Sequence, residues 1–172
     1  MGNNINWRYK KTLSFLSKHL SPPSNILDLG TKNKLADHIS KSGYNVINTE
    51  GENLDLTYKS VLNKDIELVT AFEIFEHMLA PFNVLRQIKA NKLIASVPLK
   101  LWFANAYWNE HDEWDRHYHE FEKKQFDFLL KKTGWKIIDS EQWVAQEKFK
   151  FGFRPILRMF TPRYYIVYCE RN

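Results

Sequence analysis

Six short apolar runs, at 25–30, 44–49, 66–72, 93–97, 135–140 and 164–169, punctuate the chain, and helical periodicity fills most of the intervals between them. Strands joined through helices need crossover connections, and crossovers leave the joined strands parallel. The pattern therefore predicts an α/β fold with a mostly parallel sheet. Residues 5–20 read as an amphipathic helix with Leu13, Leu16 and Leu20 at helical spacing, and Ser21-Pro22-Pro23-Ser24 ends it. A second helix carries Leu35, Ala36 and Ile39 and closes at Gly43. Pro81 opens a third, with Phe82, Leu85 and Ile88 as its apolar face, and a fourth spans 122–133 before Gly134. Residues 52–64 are polar, and 99–119 are irregular and rich in Trp, His and Asp. With 172 residues, no internal repeat and no low-complexity linker, the expectation is one domain over 1–172: an N-terminal helix and loop at 1–24 and an α/β core at 25–172.

Composition narrows the setting. Cys169 is the only cysteine and cannot form an internal bridge, no apolar stretch reaches the roughly 18 residues of a membrane span, and the N-terminus lacks the apolar run of a secretory signal. These features predict a cytoplasmic protein without a membrane span. There are only six glycines, so any motif that needs several of them is incomplete here. The net charge of +5 falls entirely after residue 120, where 11 Lys and Arg face 6 Asp and Glu.

In an open α/β sheet, ligands bind beyond the carboxyl ends of the strands, where strand order reverses. The residues predicted there are Asp28, Gly30 and Thr31 after the first run, Glu50 and Gly51 after the second, and Phe72, Glu73, Glu76 and His77 after the third. Glu50 lies 20 positions beyond Gly30. A carboxylate at that spacing can accept from both hydroxyls of a ribose, although a solvated loop acid would look the same in sequence.

The succession ILDLG, VINTEG, ELVTAFEIFEHM, KLIASVPL and RHYHEFEKKQFDFLLKKTGWKII resembles the class I S-adenosylmethionine-dependent methyltransferases, in particular the small methyltransferase domains acting on small molecules. The resemblance covers about residues 25–140. It implies a Rossmann-like sheet of seven strands, mostly parallel with the last strand antiparallel, and helices on both faces, with 164–169 as that last strand. It also implies S-adenosylmethionine as cofactor and a small-molecule methyl acceptor. The family's glycine-rich loop, D-x-G-x-G-x-G, falls on Asp28, Gly30, Lys32 and Lys34, so only its first glycine is present. Asn33, which tolerates left-handed geometry, is expected to rescue the turn. The family's ribose-binding acid falls on Glu50, and Phe72 and Glu73 are implied to lie near the methionine part of the cofactor. Lys89-Ala90-Asn91-Lys92 stands where the family's Pro-Gly-Gly turn would be.

Methyl transfer needs alignment and, for some acceptors, removal of a proton. His77 and His117 are the candidate bases, with His111 and His119 as further candidates; packing or capping is the competing role for His77. His117 and His119 with Asp112 or Glu120 could be read as a metal site, but nothing in the sequence supplies a third and fourth ligand, and no metal is assigned. The aromatic stretch 101–108 reads as core or helix packing or, given its place after Pro98 at a strand end, as a wall that keeps water from the cofactor. Lys148, Lys150 and Arg154 alternate with aromatic residues; on a strand they would share one face, as a solvated edge or as a weak contact for RNA or an anionic surface. Two other functions stay open. One is a binding or scaffold protein that has lost catalysis, suggested by the missing glycines. The other is an RNA-directed methyltransferase, suggested by the basic C-terminal third.

Overall fold

The computed structural model describes residues 6–63, 65–145 and 153–171. In chain order the elements are α1 (Trp7–His19), β1 (Asn25–Asp28), α2 (Lys34–Lys41), β2 (Asn45–Asn48), β3 (Leu68–Phe72), α3 (Pro81–Gln87), β4 (Lys92–Pro98), α4 (Lys123–Lys132), β5 (Lys136–Val144), α5 (Phe153–Phe160) and β6 (Pro162–Glu170). One sheet runs in the order β2-β1-β3-β4-β6-β5. Strands β1 to β4 pair in parallel, and β6 inserts antiparallel between β4 and β5.

Alternation along each strand builds two cores. Leu27, Val69, Leu93, Ala95, Val167 and Cys169 face one way, against Leu85 of α3 and Phe126 and Leu130 of α4. Their neighbours Ile26, Leu68, Ile94, Ile166 and Tyr168 face the other way, against Phe15 and Leu16 of α1 and Leu35 and Ile39 of α2. Strands buried on both faces read as continuous apolar runs, which is why they are conspicuous in the sequence.

Three expectations are corrected. Among the described residues the sheet has six strands, not seven: between β2 and β3 the polar segment folds into turns, with the Asn53 carbonyl accepting from the N–H groups of Leu56 and Thr57, and a 3-10 turn at Ser60–Leu62. The alternation Leu54-Asp55-Leu56-Thr57-Tyr58 goes into the turn at Asn53 rather than a strand, because the Asn53 side chain also accepts from the Asp55 N–H, and β2 is left as the edge of the described sheet. On α3 the buried face is Val84 and Leu85, with Ile88 just past its end, while Phe82 is exposed beneath the Arg86 guanidinium. Arg154 lies on a helix, α5, and not on a strand. Lys148 and Lys150 lie outside the described residues. None of the helices among the described residues is long and apolar enough to cross a membrane.

Candidate active site

The strand order reverses between β1 and β3, and the predicted cofactor residues converge at the carboxyl ends of β1, β2 and β3. Asp28 itself is buried under this surface. Its carboxylate accepts from the Thr70 hydroxyl at 2.6 Å and the Asn48 amide at 3.0 Å, and burial raises its pKa to about 6. Asn48 also donates to the Gly30 carbonyl at 3.3 Å, and the Gly30 N–H donates to the Thr49 hydroxyl at 2.8 Å. Asp28 and its partners thus hold the turn that follows β1.

Gly30 has φ +101°, and a Cβ there would come within 3.1 Å of the Ile74 Cδ1; Gly51 has φ +88°, with a Cβ 3.0 Å from the Thr31 Cγ2. Both positions need glycine for conformation and for space. Asn33 is not left-handed: at φ −140°, ψ 178° it is extended and N-caps α2, its side chain accepting from the N–H groups of Leu35 and Ala36. Lys32 turns away to pair with Asp37 at 3.2 Å, and Lys34 is the first residue of α2. Among the described residues, only Glu73 has positive φ without being glycine. The turn therefore closes with ordinary backbone at both lysines.

Glu50 is exposed, and its carboxylate makes no hydrogen bond among the described residues. It lines a cavity of about 520 Å³ with Thr49, Glu52 and Thr57. On the other side of β1, a cleft of about 230 Å³ is bounded by Asn33, Leu35, Phe72, Glu73, Ser96 and residues of α1. Arg8 of α1 reaches into it, 3.4 Å from Glu73 Oε2, and Ser96 donates to Glu73 Oε1 at 2.9 Å. Burial raises the pKa of Glu73 and the Arg8 guanidinium opposes it. Glu73 sits at φ +58°, a strained conformation of the sort that clusters at functional sites. The sequence reading passed over Arg8 and Ser96; Trp7-Arg8 near the start of an amphipathic helix carries no local signal of a role 65 residues away.

Segment 99–121 is a closed excursion above β4. Its neck is the bridge between Leu99 and Phe121, and its far side is held on the Glu76 carbonyl, which accepts from the N–H groups of Tyr118 at 2.8 Å and His119 at 3.2 Å. This brings His117 to His77, with ring centroids 4.9 Å apart and the rings nearly perpendicular. His77 Nδ1 lies 3.1 Å from the Arg116 carbonyl, and His117 Nδ1 lies 3.0 Å from Glu120 Oε1. Burial lowers the pKa of His77, with His117 adding to the effect. Beside them Glu76 is 1% exposed, and burial, with Glu73 nearby, pushes its carboxyl well above the usual range. His111 is exposed, and His119 turns to the Leu79 carbonyl at 3.3 Å, so neither joins the pair. The aromatic stretch forms a wall only in part: Leu101, Tyr107 and Trp108 line a cavity of about 490 Å³ together with Glu120, Arg158 and Arg163, while the Trp102 indole is 72% exposed.

Comparison with known proteins agrees with this architecture. An S-adenosylmethionine-dependent methyltransferase from Mesorhizobium loti superposes with a TM-score of 0.65 at 11% identity, covering 92% of this chain and 96% of that one. The [4+2]-cyclase SpnF gives 0.67 at 10% identity, over 99% and 84%. Phosphoethanolamine N-methyltransferase 2 of Haemonchus contortus, solved in complex with S-adenosyl-L-methionine, gives 0.65 at 12% identity, over 99% of this chain and 54% of that one. Among curated proteins, no sequence matches. At such identities the superpositions establish the fold, and the sequence establishes the rest: a family model described as a methyltransferase domain matches residues 2–140, and the chain belongs to that family.

Proposed function

We propose that the protein is an S-adenosylmethionine-dependent methyltransferase acting on a small-molecule acceptor. The observation that carries this reading is Glu50: an exposed, unpaired carboxylate at the end of β2, 20 residues beyond the Gly30 turn, in a chain of the methyltransferase-domain family. The residues present fit the cofactor. Glu50 would accept from the ribose hydroxyls, and Gly30 and Gly51 keep the backbone beside it free of side chains. Thr31 borders the same turn. Phe72 and Glu73, with Arg8 and Asn33 across the same cleft, suit an amino-acid tail, the guanidinium matching its carboxylate. When bound, the cofactor supplies a methyl group on a sulfonium that leaves readily. The chain's own task is then to orient the acceptor, exclude water and handle a proton. His77 and His117 stand on the acceptor side of Glu73 in this reading. The lone, buried thiol of Cys169 suits a reducing, cytoplasmic setting.

Isothermal calorimetry tests the reading. Wild-type protein is expected to bind S-adenosylmethionine or its demethylated product, and Glu50→Ala to weaken binding by about 1 to 3 kcal/mol. No heat at millimolar ligand would favour the second reading, a binding protein on the same fold. Lys32 and Lys34 in the glycine positions support that alternative, and the SpnF cyclase is a reminder that a shared fold does not dictate chemistry.

A further inference from the structure

Glu76 presents a cost that the cofactor does not account for. Its side chain is 1% exposed, and neither carboxylate oxygen has a hydrogen-bond partner among the described residues. A carboxyl buried without partners is among the more expensive features a fold can carry, and native proteins retain few of them. What faces it is a pair of imidazoles. Ligand atoms of Glu76, His77 and His117 all lie within 4.8 Å of one another, and His77 Nε2 is 3.8 Å from Glu76 Oε1. An ion with bonds of about 2.1 Å holds tetrahedral ligands about 3.4 Å apart, so closing this cluster onto one ion takes side-chain movements of only about 1 Å.

The outer contacts point the same way. A carbonyl can only accept, so His77 donates its Nδ1–H to Arg116, and in the neutral ring this makes Nε2, 3.8 Å from Glu76 Oε1, the nitrogen that carries the lone pair. Glu120 holds the Nδ1 of His117 in the same manner and is itself braced by Arg163 at 3.6 Å and by the Tyr107 N–H at 3.0 Å. Metal-bound histidines are fixed in this way: one ring nitrogen donates to a carbonyl or carboxylate, and the other binds the ion. A general base alone would not require two such anchored rings beside an orphaned buried carboxylate.

We infer that Glu76, His77 and His117 form a site for one divalent transition-metal ion of the zinc class, with at least one coordination position left for water or substrate. Two imidazoles and one carboxylate match a catalytic-type zinc set, which keeps a position for water or substrate. Resting on the methyltransferase reading, the open position would take an oxygen of the acceptor and ease its loss of a proton. The sequence assigned no metal because its own candidate pair was His117 with His119; the ligand it lacked was Glu76, 41 residues upstream and invisible as a partner until the 99–121 excursion folds back.

The test uses the purified full chain, stripped with chelator and titrated with zinc by calorimetry and with cobalt by visible absorption. One equivalent of zinc is expected to bind, and cobalt to give d–d bands at the same stoichiometry. H77A, H117A and E76Q are each expected to lower zinc affinity at least tenfold, and E120Q about tenfold. H119A, whose ring is held on Leu79, is expected to leave it unchanged. Circular dichroism of each variant separates loss of the site from loss of the fold, and the cobalt spectrum of the wild type needs no variant. Absence of stoichiometric uptake by the wild type, or an H117A affinity equal to that of wild type in a folded protein, overturns the site. S-adenosylmethionine binding measured on the stripped protein reports separately: cofactor heat without metal uptake rejects the metal site alone, and metal uptake without cofactor heat rejects the methyltransferase reading alone.

Discussion

At the scale of single residues, Asp28 shows how a motif position at a strand end can be taken up by the fold's own hydrogen bonds. The first acid of the glycine-loop pattern is conspicuous in the sequence, and its strand-end location invites assignment to the cofactor. The structure buries it to 2% exposure and uses both its oxygens on Thr70 and Asn48, so its influence passes through the Gly30 turn. Burial raises its pKa from about 3.8 to about 6, which makes its protonated form the one the fold prefers. A group with a raised folded pKa gives its full stabilisation below the unfolded value and loses it as pH climbs through the folded one. Stability is therefore expected to fall by about 3 kcal/mol between roughly pH 4 and pH 7 through this group. Urea titrations across that range should show the slope, and Asp28→Asn should flatten it. A slope identical in the variant would assign the effect to another group. Glu50 is the opposite case: it stays exposed, and its carboxylate makes no hydrogen bond among the described residues.

At the scale of elements, β3 and β4 were legible because they are buried on both faces and read as nearly continuous apolar runs, whereas the edge strands β2 and β5 are mostly exposed or half-buried and are shorter apolar signals. Helix faces were less so: Phe82 has the right spacing to be core, yet only tertiary packing decides that Val84 is inside. The segment leading into α5 misled for a related reason. The alternation of cations and aromatics at 148–154 has period two, and it hides the helical spacing of Ile156, Met159 and Phe160 that follows. The loop between β1 and α2 corrects a subtler point. Missing glycines suggested a damaged turn, with Asn33 as its left-handed remedy, whereas Asn33 instead satisfies the first free N–H groups of α2. Asn33→Ala is expected to cost about 1 kcal/mol by chemical denaturation, in keeping with loss of an N-cap. Asn33→Gly should cost only a few tenths of that unit; were left-handed geometry the requirement, glycine would stabilise instead.

At the scale of the whole molecule, one sheet with helices on both faces makes α1 part of the core. Phe15 is fully buried against the same face as Leu35 and Ile166, and Arg8 at the other end of that helix reaches the cleft beside Glu73. Phe15→Ala is expected to lose about 3 to 5 kcal/mol. Tryptophan fluorescence and far-ultraviolet dichroism should then report one coincident unfolding transition in wild type and variant alike. Two separated transitions would make α1 an independent arm and deny it a part in shaping the cleft. The alternation of apolar runs and helical segments was enough to determine the fold class and to place Asp28, Gly30, Glu50 and Glu73 at or just beyond strand ends, because these follow from local periodicity and from distances along the chain. Only the tertiary structure decided that Arg8 faces Glu73, that the sheet has six strands among the described residues, and that Glu76 meets His77 and His117. Those pairings join segments up to 65 residues apart, and they are set by how an irregular loop and a terminal helix close over the sheet, which no local pattern encodes.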